Sequence, residues 1–157
     1  MQETSPPNSH TIDHLELGRH GEQIAAAYLQ QAGFQIVASN FVVPVGRNRK
    51  DVPINVEIDL VAYEGPTLCF VEVKTRTSDW FAEPSANVNR RKQRQIIRAG
   101  RAYRRMLGLE REAHRYDVLS IVLPAGAETP NPTIELLRNF TSEDRLRKRT
   151  WSPRYWD

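Results

Sequence analysis

The stretch Glu57-Ile58-Asp59-Leu60-Val61-Ala62-Tyr63-Glu64-Gly65-Pro66-Thr67-Leu68-Cys69-Phe70-Val71-Glu72-Val73-Lys74 decides how this chain folds. Two runs rich in β-branched and aromatic residues, 57–63 and 68–74, flank a turn containing Gly65-Pro66. So short a connection joins antiparallel strands. If Tyr63 faces Leu68, Asp59 lies opposite Glu72, with Cβ atoms about 4.5–5.5 Å apart on one face. Two like charges at that distance repel. Their neighbours Ile58, Leu60, Val61, Phe70, Val71 and Val73 are those of buried strands, where a carboxylate is costly. A divalent cation between the pair would cancel the repulsion, and hard carboxylate oxygens suit Mg²⁺ or Mn²⁺. Lys74 emerges on the same face as Glu72. Its ammonium can hold an attacking water or steady charge on a phosphate. The plainer alternatives are a cross-strand ion pair between Lys74 and Glu57, a solvated Asp on an edge strand, or a longer turn that separates Asp59 from Glu72.

The flanking segments supply the rest of a layered fold. Gly21, Ile24, Ala25, Tyr28 and Ala32 recur at helical spacing over Glu16–Ala32, and Gly33 stands where a C-terminal cap belongs. Phe34–Val43 alternates as a strand, and Pro44–Asn55 reads as a basic, turn-rich loop with Arg47, Arg49 and Lys50. Thr75–Val88 reads as a loop containing Trp80, Phe81 and Pro84. A second helix is predicted over Asn89–Leu107, with Ile96, Ala99, Tyr103 and Met106 as its apolar stripe. Strands follow at Tyr116–Leu123 and Thr133–Phe140. The order helix, strand, hairpin, helix, strand, strand points to an α/β fold, a mixed sheet with helices packed on it. Residues 1–14 read as a loose lead-in, 15–140 as one domain, and 141–157 as a basic, aromatic tail.

Glu22 shares a helical stripe with Ala25, Ala26 and Leu29, so it borders the face that packs on the sheet. A solvated acid near a helix start is the alternative. The second helix carries Arg90, Arg91, Lys92, Arg94, Arg98, Arg101, Arg104 and Arg105, with no acid in that span. Unneutralised cations at these spacings repel one another, and a phosphate backbone would relieve them. Lys92 and Gln93 at its start, Arg94, Arg98 and Arg101 along it, and Arg76 just past the hairpin are the candidate phosphate contacts. An ordinary solvated helix face is the alternative. The tail interleaves cations with Trp151, Tyr155 and Trp156, which suits base stacking or a hydrophobic clamp.

Composition narrows the classes. With 157 residues, 39% hydrophobic and 26% charged, the chain has enough material for one soluble domain with a core. No apolar run approaches the ~20 residues of a membrane span, and no secretory signal is evident. The lone Cys69 fits a reducing compartment, so a cytoplasmic location is expected. The four histidines lack zinc spacing, and no glycine-rich loop precedes Lys-Ser/Thr, so no nucleotide cofactor is expected.

An acid on one strand followed on the next by Glu-x-Lys resembles the PD-(D/E)xK nuclease superfamily, here as Ile58-Asp59 and Glu72-Val73-Lys74 without the signature proline. More closely, the chain resembles the YraN-like endonuclease family, related in fold to archaeal Holliday junction resolvases. The matching segments are Gly18-Arg19-His20-Gly21-Glu22, Gly33-Phe34, Asn40-Phe41, Glu57-Ile58-Asp59-Leu60-Val61-Ala62, Phe70-Val71-Glu72-Val73-Lys74-Thr75-Arg76, Lys92-Gln93 and Arg115-Tyr116-Asp117. The resemblance implies a restriction-endonuclease-like mixed central sheet flanked by helices. It implies a magnesium (or manganese) site with Asp59 and Glu72 as ligands, Glu22, Asp59, Glu72 and Lys74 as catalytic residues, and DNA, branched or otherwise structured, as substrate. Resolvases work as dimers, which leaves a homodimer open. Two departures stand out: the segment Val42–Val56 is longer than the family's, and Val56 replaces a glycine. A nuclease-like fold that binds nucleic acid without cutting, and a protein whose basic helix meets an acidic partner, are the competing readings.

Overall fold

The computed structural model describes residues 14–78, 88–124 and 131–146. The decisive hairpin forms in the expected register. Strands β2 (Pro53–Glu64) and β3 (Thr67–Ser78) are antiparallel, with Tyr63 paired to Leu68, Val61 to Phe70 and Leu60 to Val71. The pairing stops there, so Asp59 and Glu72 are not ladder partners. Before β2 comes α1 (His14–Gln31), whose end is closed by Gly33 at φ +92° and the Phe34 N–H to Leu29 carbonyl bond of 2.9 Å. Strand β1 (Gln35–Arg47) follows. After β3 come α2 (Arg90–Leu107), β4 (His114–Pro124), β5 (Thr133–Thr141) and a single turn, α3 (Glu143–Leu146). The strands lie side by side in chain order, all neighbours antiparallel except β3 and β4, which are parallel. A parallel pair needs a crossover of a dozen or more residues, and α2 lies on that crossover. The fold is thus the α/β class expected, a five-stranded mixed sheet flanked by helices.

The sheet is covered on both faces. Ile96, Ala99 and Tyr103 of α2 pack on Ile58, Val61, Leu68, Phe70 and Tyr116. Ala25 and Leu29 of α1 pack on Leu60, Ala62, Cys69, Val71 and Leu119. Both helices approach closely at a glycine. A Cβ on Gly21 would stand 1.8 Å from Thr75 Oγ1, and one on Gly100 would stand 2.7 Å from Tyr116 Cε1.

Three expectations need correction. The segment Pro44–Asn55 is mostly strand: the β1–β2 ladder continues to Arg47 opposite Pro53, leaving 48–52 as the turn. Pro44 is tolerated because β1 is an edge strand. The turn is held by Asn48 Oδ1, which accepts the Lys50 and Val52 N–H groups. Strand β3 also runs on through Thr75–Ser78, since the parallel partner β4 pairs with it as far as Pro124. Met106 is 52% exposed, and the buried face of α2 instead takes in Ile97, Gly100 and Arg104. The lead-in to residue 13, most of the 75–88 loop and the aromatic tail from residue 147 lie outside the described residues.

Candidate active site

Beyond Leu60 and Val71 the β2–β3 ladder opens, and the opening is filled by side chains. Asp59 Oδ2 accepts the Val73 N–H at 2.8 Å, taking a bond that a continued ladder would have given to a backbone carbonyl. The burial pattern of β2 shifts at the same point. Ile58 packs toward α2, whereas Leu60 packs toward α1. Alternation along β3 carries Glu72 and Lys74 toward the α2 side, with Val71, Val73 and Thr75 toward α1. Directly opposed carboxylates on one face, the sequence expectation, are therefore not what forms. The acids approach through the gap between two diverging strands.

The gap is a cleft of about 340 Å³ lined by Glu22, Asp59, Glu72, Lys74, Thr75 and the start of α1. Glu22 reaches it from α1, one residue beyond the tight contact at Gly21. Glu22, Glu57 and Asp59 bring one carboxylate oxygen each within 4.8 Å of one another. Asn40 stitches two of them together, its Nδ2 donating to Glu22 Oε2 and to Glu57 Oε1 at 2.9 Å each. It does so from a left-handed backbone, φ +49°, between the paired residues Ser39 and Phe41. Glu72, buried to 7% exposure, is met by Lys92 Nζ at 3.2 Å. Lys92 shares the inward stripe of α2 with Ile96, Ala99 and Tyr103, which is why it points into the fold and not outward.

The electrostatics follow from this crowding. Burial, then the Glu72 carboxylate, pushes Asp59 up to about 7 from its ordinary value of 3.8. The Val73 N–H and Lys92 pull it down, and Glu22 adds a further push. The acidic cluster of Glu22, Glu57 and Asp59 could hold a metal ion. Its donors are all carboxylate oxygens, the set that fits a small hard divalent cation.

Glu22, Asp59, Glu72 and Lys74 thus share one cleft. Glu57 and Lys74 form no ion pair, since Glu57 turns to Asn40. The expected phosphate contacts are more scattered. Gln93 is an internal brace, donating to the Val88 carbonyl and accepting from Thr141 Oγ1. Lys92 faces Glu72. Arg98 donates to the Val45 carbonyl and Arg101 to Glu143 Oε2. Arg94 is exposed. Arg76 is half-buried and engaged with other groups. Sequence reasoning missed Asn40 as the link between carboxylates and considered Glu57 only as an alternative ion-pair partner of Lys74, not as a member of the acidic cluster. The i, i+2 spacing of Glu57 and Asp59 was the available signal for the acidic cluster.

Comparison with known proteins bears on the whole constellation. The family model described as "Uncharacterised protein family UPF0102" matches residues 21–121, the span from Gly21 of α1 to the fourth strand. A UPF0102 protein of Chlorobium chlorochromatii is 45% identical over 117 residues, covering 74% of this chain and 79% of that one. One from Chlorobium limicola is 40% identical over 131 residues, covering 83% and 89%. One from Koribacter versatilis is 33% identical over 133 residues, covering 85% and 84%. By both the model match and these relatives, the chain belongs to the uncharacterised protein family UPF0102.

Proposed function

We propose that this protein is a metal-dependent endonuclease that hydrolyses phosphodiester bonds in DNA, with branched or otherwise structured DNA as its substrate. The observation that carries this reading is the shared cleft, where three acids from α1, β2 and β3 meet a half-buried lysine. The resemblance to YraN-like endonucleases and archaeal resolvases supports it.

Asp59 and Glu72 would hold Mg²⁺ or Mn²⁺, with Glu22 and Glu57 close enough to complete the oxygen shell directly or through water. Such an ion supplies charge neutralisation at the phosphate and a lowered pKa for bound water. The chain's own groups do the rest. Lys74, for which the described residues provide no ion-pair partner, steadies the developing charge on the phosphate or orients the attacking water. The water oxygen bonds to phosphorus as a phosphorus–oxygen bond to the sugar breaks, and the departing sugar oxygen takes a proton from solvent. Glu22, held by Asn40, would accept the proton that the water gives up. Lys92, which pairs with Glu72 here, would be available to a substrate phosphate if Glu72 served as a metal ligand. Arg76 and the arginines of α2 supply further phosphate contacts.

The test is cleavage of linear, flapped and four-way DNA with Mg²⁺, with Mn²⁺ and with chelator. Metal-dependent cutting is expected, reduced at least ~100-fold in Asp59→Asn and in Lys74→Ala. Binding without cutting under every metal condition would assign the protein to nucleic-acid binding alone. No affinity for DNA at low salt would overturn the reading.

A further inference from the structure

One face of α2 is a row of arginines with no counterpart elsewhere among the described residues. Arg91, Arg94, Arg98, Arg101 and Arg105 follow one another at steps of three and four. At 100° per residue they fall within about 80° of arc, opposite the buried face, and span about 21 Å of helix. All five are exposed, and the helix contains no acid. Like charges at i, i+3 and i, i+4 weaken a helix, and here nothing on α2 offsets them. The row also has fixed relations to the rest of the molecule. At one end, Lys92 of the first turn reaches Glu72, so α2 begins beside the cleft. At the other end, Arg98, Arg101 and Arg105 wall a groove of about 510 Å³ between α2 and the edge strand β1. Its lining includes Val43, Val45, Ala102 and Met106 and no acid. Arg98 and Arg101 are anchored by Val45 and Glu143. Among the described residues, the side chains of Arg91, Arg94 and Arg105 have no hydrogen-bond or ion-pair partner.

We infer that this row is an anchoring track for one strand of duplex DNA, running from the cleft to the groove at the far end of α2. For its choice of ligand the inference rests on the nuclease reading. A row of five regularly spaced cations is complementary to a polymer with regularly spaced anions. A straight row of about 21 Å can follow only a few successive phosphates of one strand before the backbone winds away from it. The protein therefore grips its substrate over the first few nucleotides to one side of the scissile bond. Position along the helix, not base sequence, sets where it cuts relative to an end or a branch.

The full-length chain is tested in chelator, so that binding is read without cleavage. Labelled duplexes of 6, 12, 18 and 24 base pairs are titrated at several salt concentrations. The variants are the triple Arg91→Ala/Arg94→Ala/Arg105→Ala, whose side chains brace nothing, and the matching triple lysine variant. Removing three phosphate contacts should lower the slope of log affinity against log salt by about 2.7 and weaken binding on the order of a hundredfold at 0.1 M salt. The lysine variant should keep the slope. Affinity should rise from 6 to 12 base pairs and then level off. In Mg²⁺, the alanine variant should show a raised KM with kcat preserved on long substrates. An unchanged salt slope in the alanine variant overturns the track. So does equal binding of poly-glutamate of matched charge, which would assign the row to an acidic protein. If the wild type never cuts in metal yet the alanine variant loses DNA affinity, the nuclease reading fails and the track stands. If cutting is metal-dependent but the slope does not change, the reverse holds.

Discussion

Asp59 answers two demands at once. One carboxylate oxygen serves as backbone acceptor for Val73 where the ladder has parted. The charge on that carboxylate is opposed by burial and by Glu72, which together hold it at about 7 against an ordinary 3.8. The linkage sign follows. In the metal-free protein, stability from this residue is full below pH ~3.8 and is lost as pH rises through about 7. Asp59→Asn keeps an oxygen for Val73 and removes the charge. At pH 8 in chelator it should be more stable than wild type by about 1–2 kcal/mol, discounting the full shift for partial exposure. The gap should close toward pH 4. Mn²⁺ should raise the melting temperature of the wild type and leave the variant unmoved. A variant less stable than wild type at pH 8 would mean that the buried charge is not a cost. The two hairpin acids were legible because apolar neighbours make a carboxylate conspicuous. Asn40 was not, because its positive φ and its two acceptors arise where the β1–β2 ladder skips a pair between Ser39–Leu60 and Phe41–Ile58, a property of the pairing and not of the residue.

At the scale of elements, the seat of α1 on β3 decides whether Glu22 reaches the cleft. Gly21 makes that seat, since a Cβ there would meet Thr75 Oγ1 at 1.8 Å and Thr75 Cβ at 2.8 Å. Alanine is the better helix former by about 1 kcal/mol, yet the collision should dominate. Gly21→Ala is predicted to cost about 1–3 kcal/mol, lowering the melting temperature by several degrees. Thr75→Ala in that background should recover part of the loss, because the hydroxyl is the nearest atom. If Gly21→Ala alone melts at or above the wild-type temperature, α1 does not sit as described. The helices themselves were easy to read from period and, for α1, from Gly33 at its end. Asn89 caps α2 by accepting the Lys92 N–H. The 44–55 segment was misread because Pro, Gly and Asn argue for a loop unless the strand lies at an edge, and edge position is decided by the whole sheet.

Across the whole molecule, the far end of the β2–β3 hairpin is tied down by charge where the cleft end is strained by it. Glu64 at the end of β2 accepts from Arg138 of β5 at 2.7 Å and 3.0 Å and from Arg115 of β4. Arg115 also chelates the buried Asp117, which accepts the Asn139 N–H. Three strands are thereby clamped at one corner, a network that only the five-strand order brings together. The segment Arg115-Tyr116-Asp117 was conspicuous in the sequence, but Glu64 lies 51 positions from Arg115 and 74 from Arg138 along the chain, so the clamp carries no local signal. The clamp has a testable pH dependence. The Arg138 guanidinium, helped by Arg115 against the cost of burial, holds Glu64 down to about 2 from 4.5. A depressed acid contributes stability above its unfolded value and loses it as pH falls through the folded one. Glu64→Gln should therefore lower stability at pH 7 by about 1 kcal/mol, a few degrees of melting temperature. The difference from wild type should stay constant down to about pH 5, shrink markedly by pH ~2.5 and vanish only below about pH 2. Because the pair is partly exposed, 1 M salt should narrow it at neutral pH. A wild-type advantage that persists undiminished at pH 2.5 would show that shape, not charge, holds this corner, while the strained cleft at Asp59 moves in the opposite sense over the same titration.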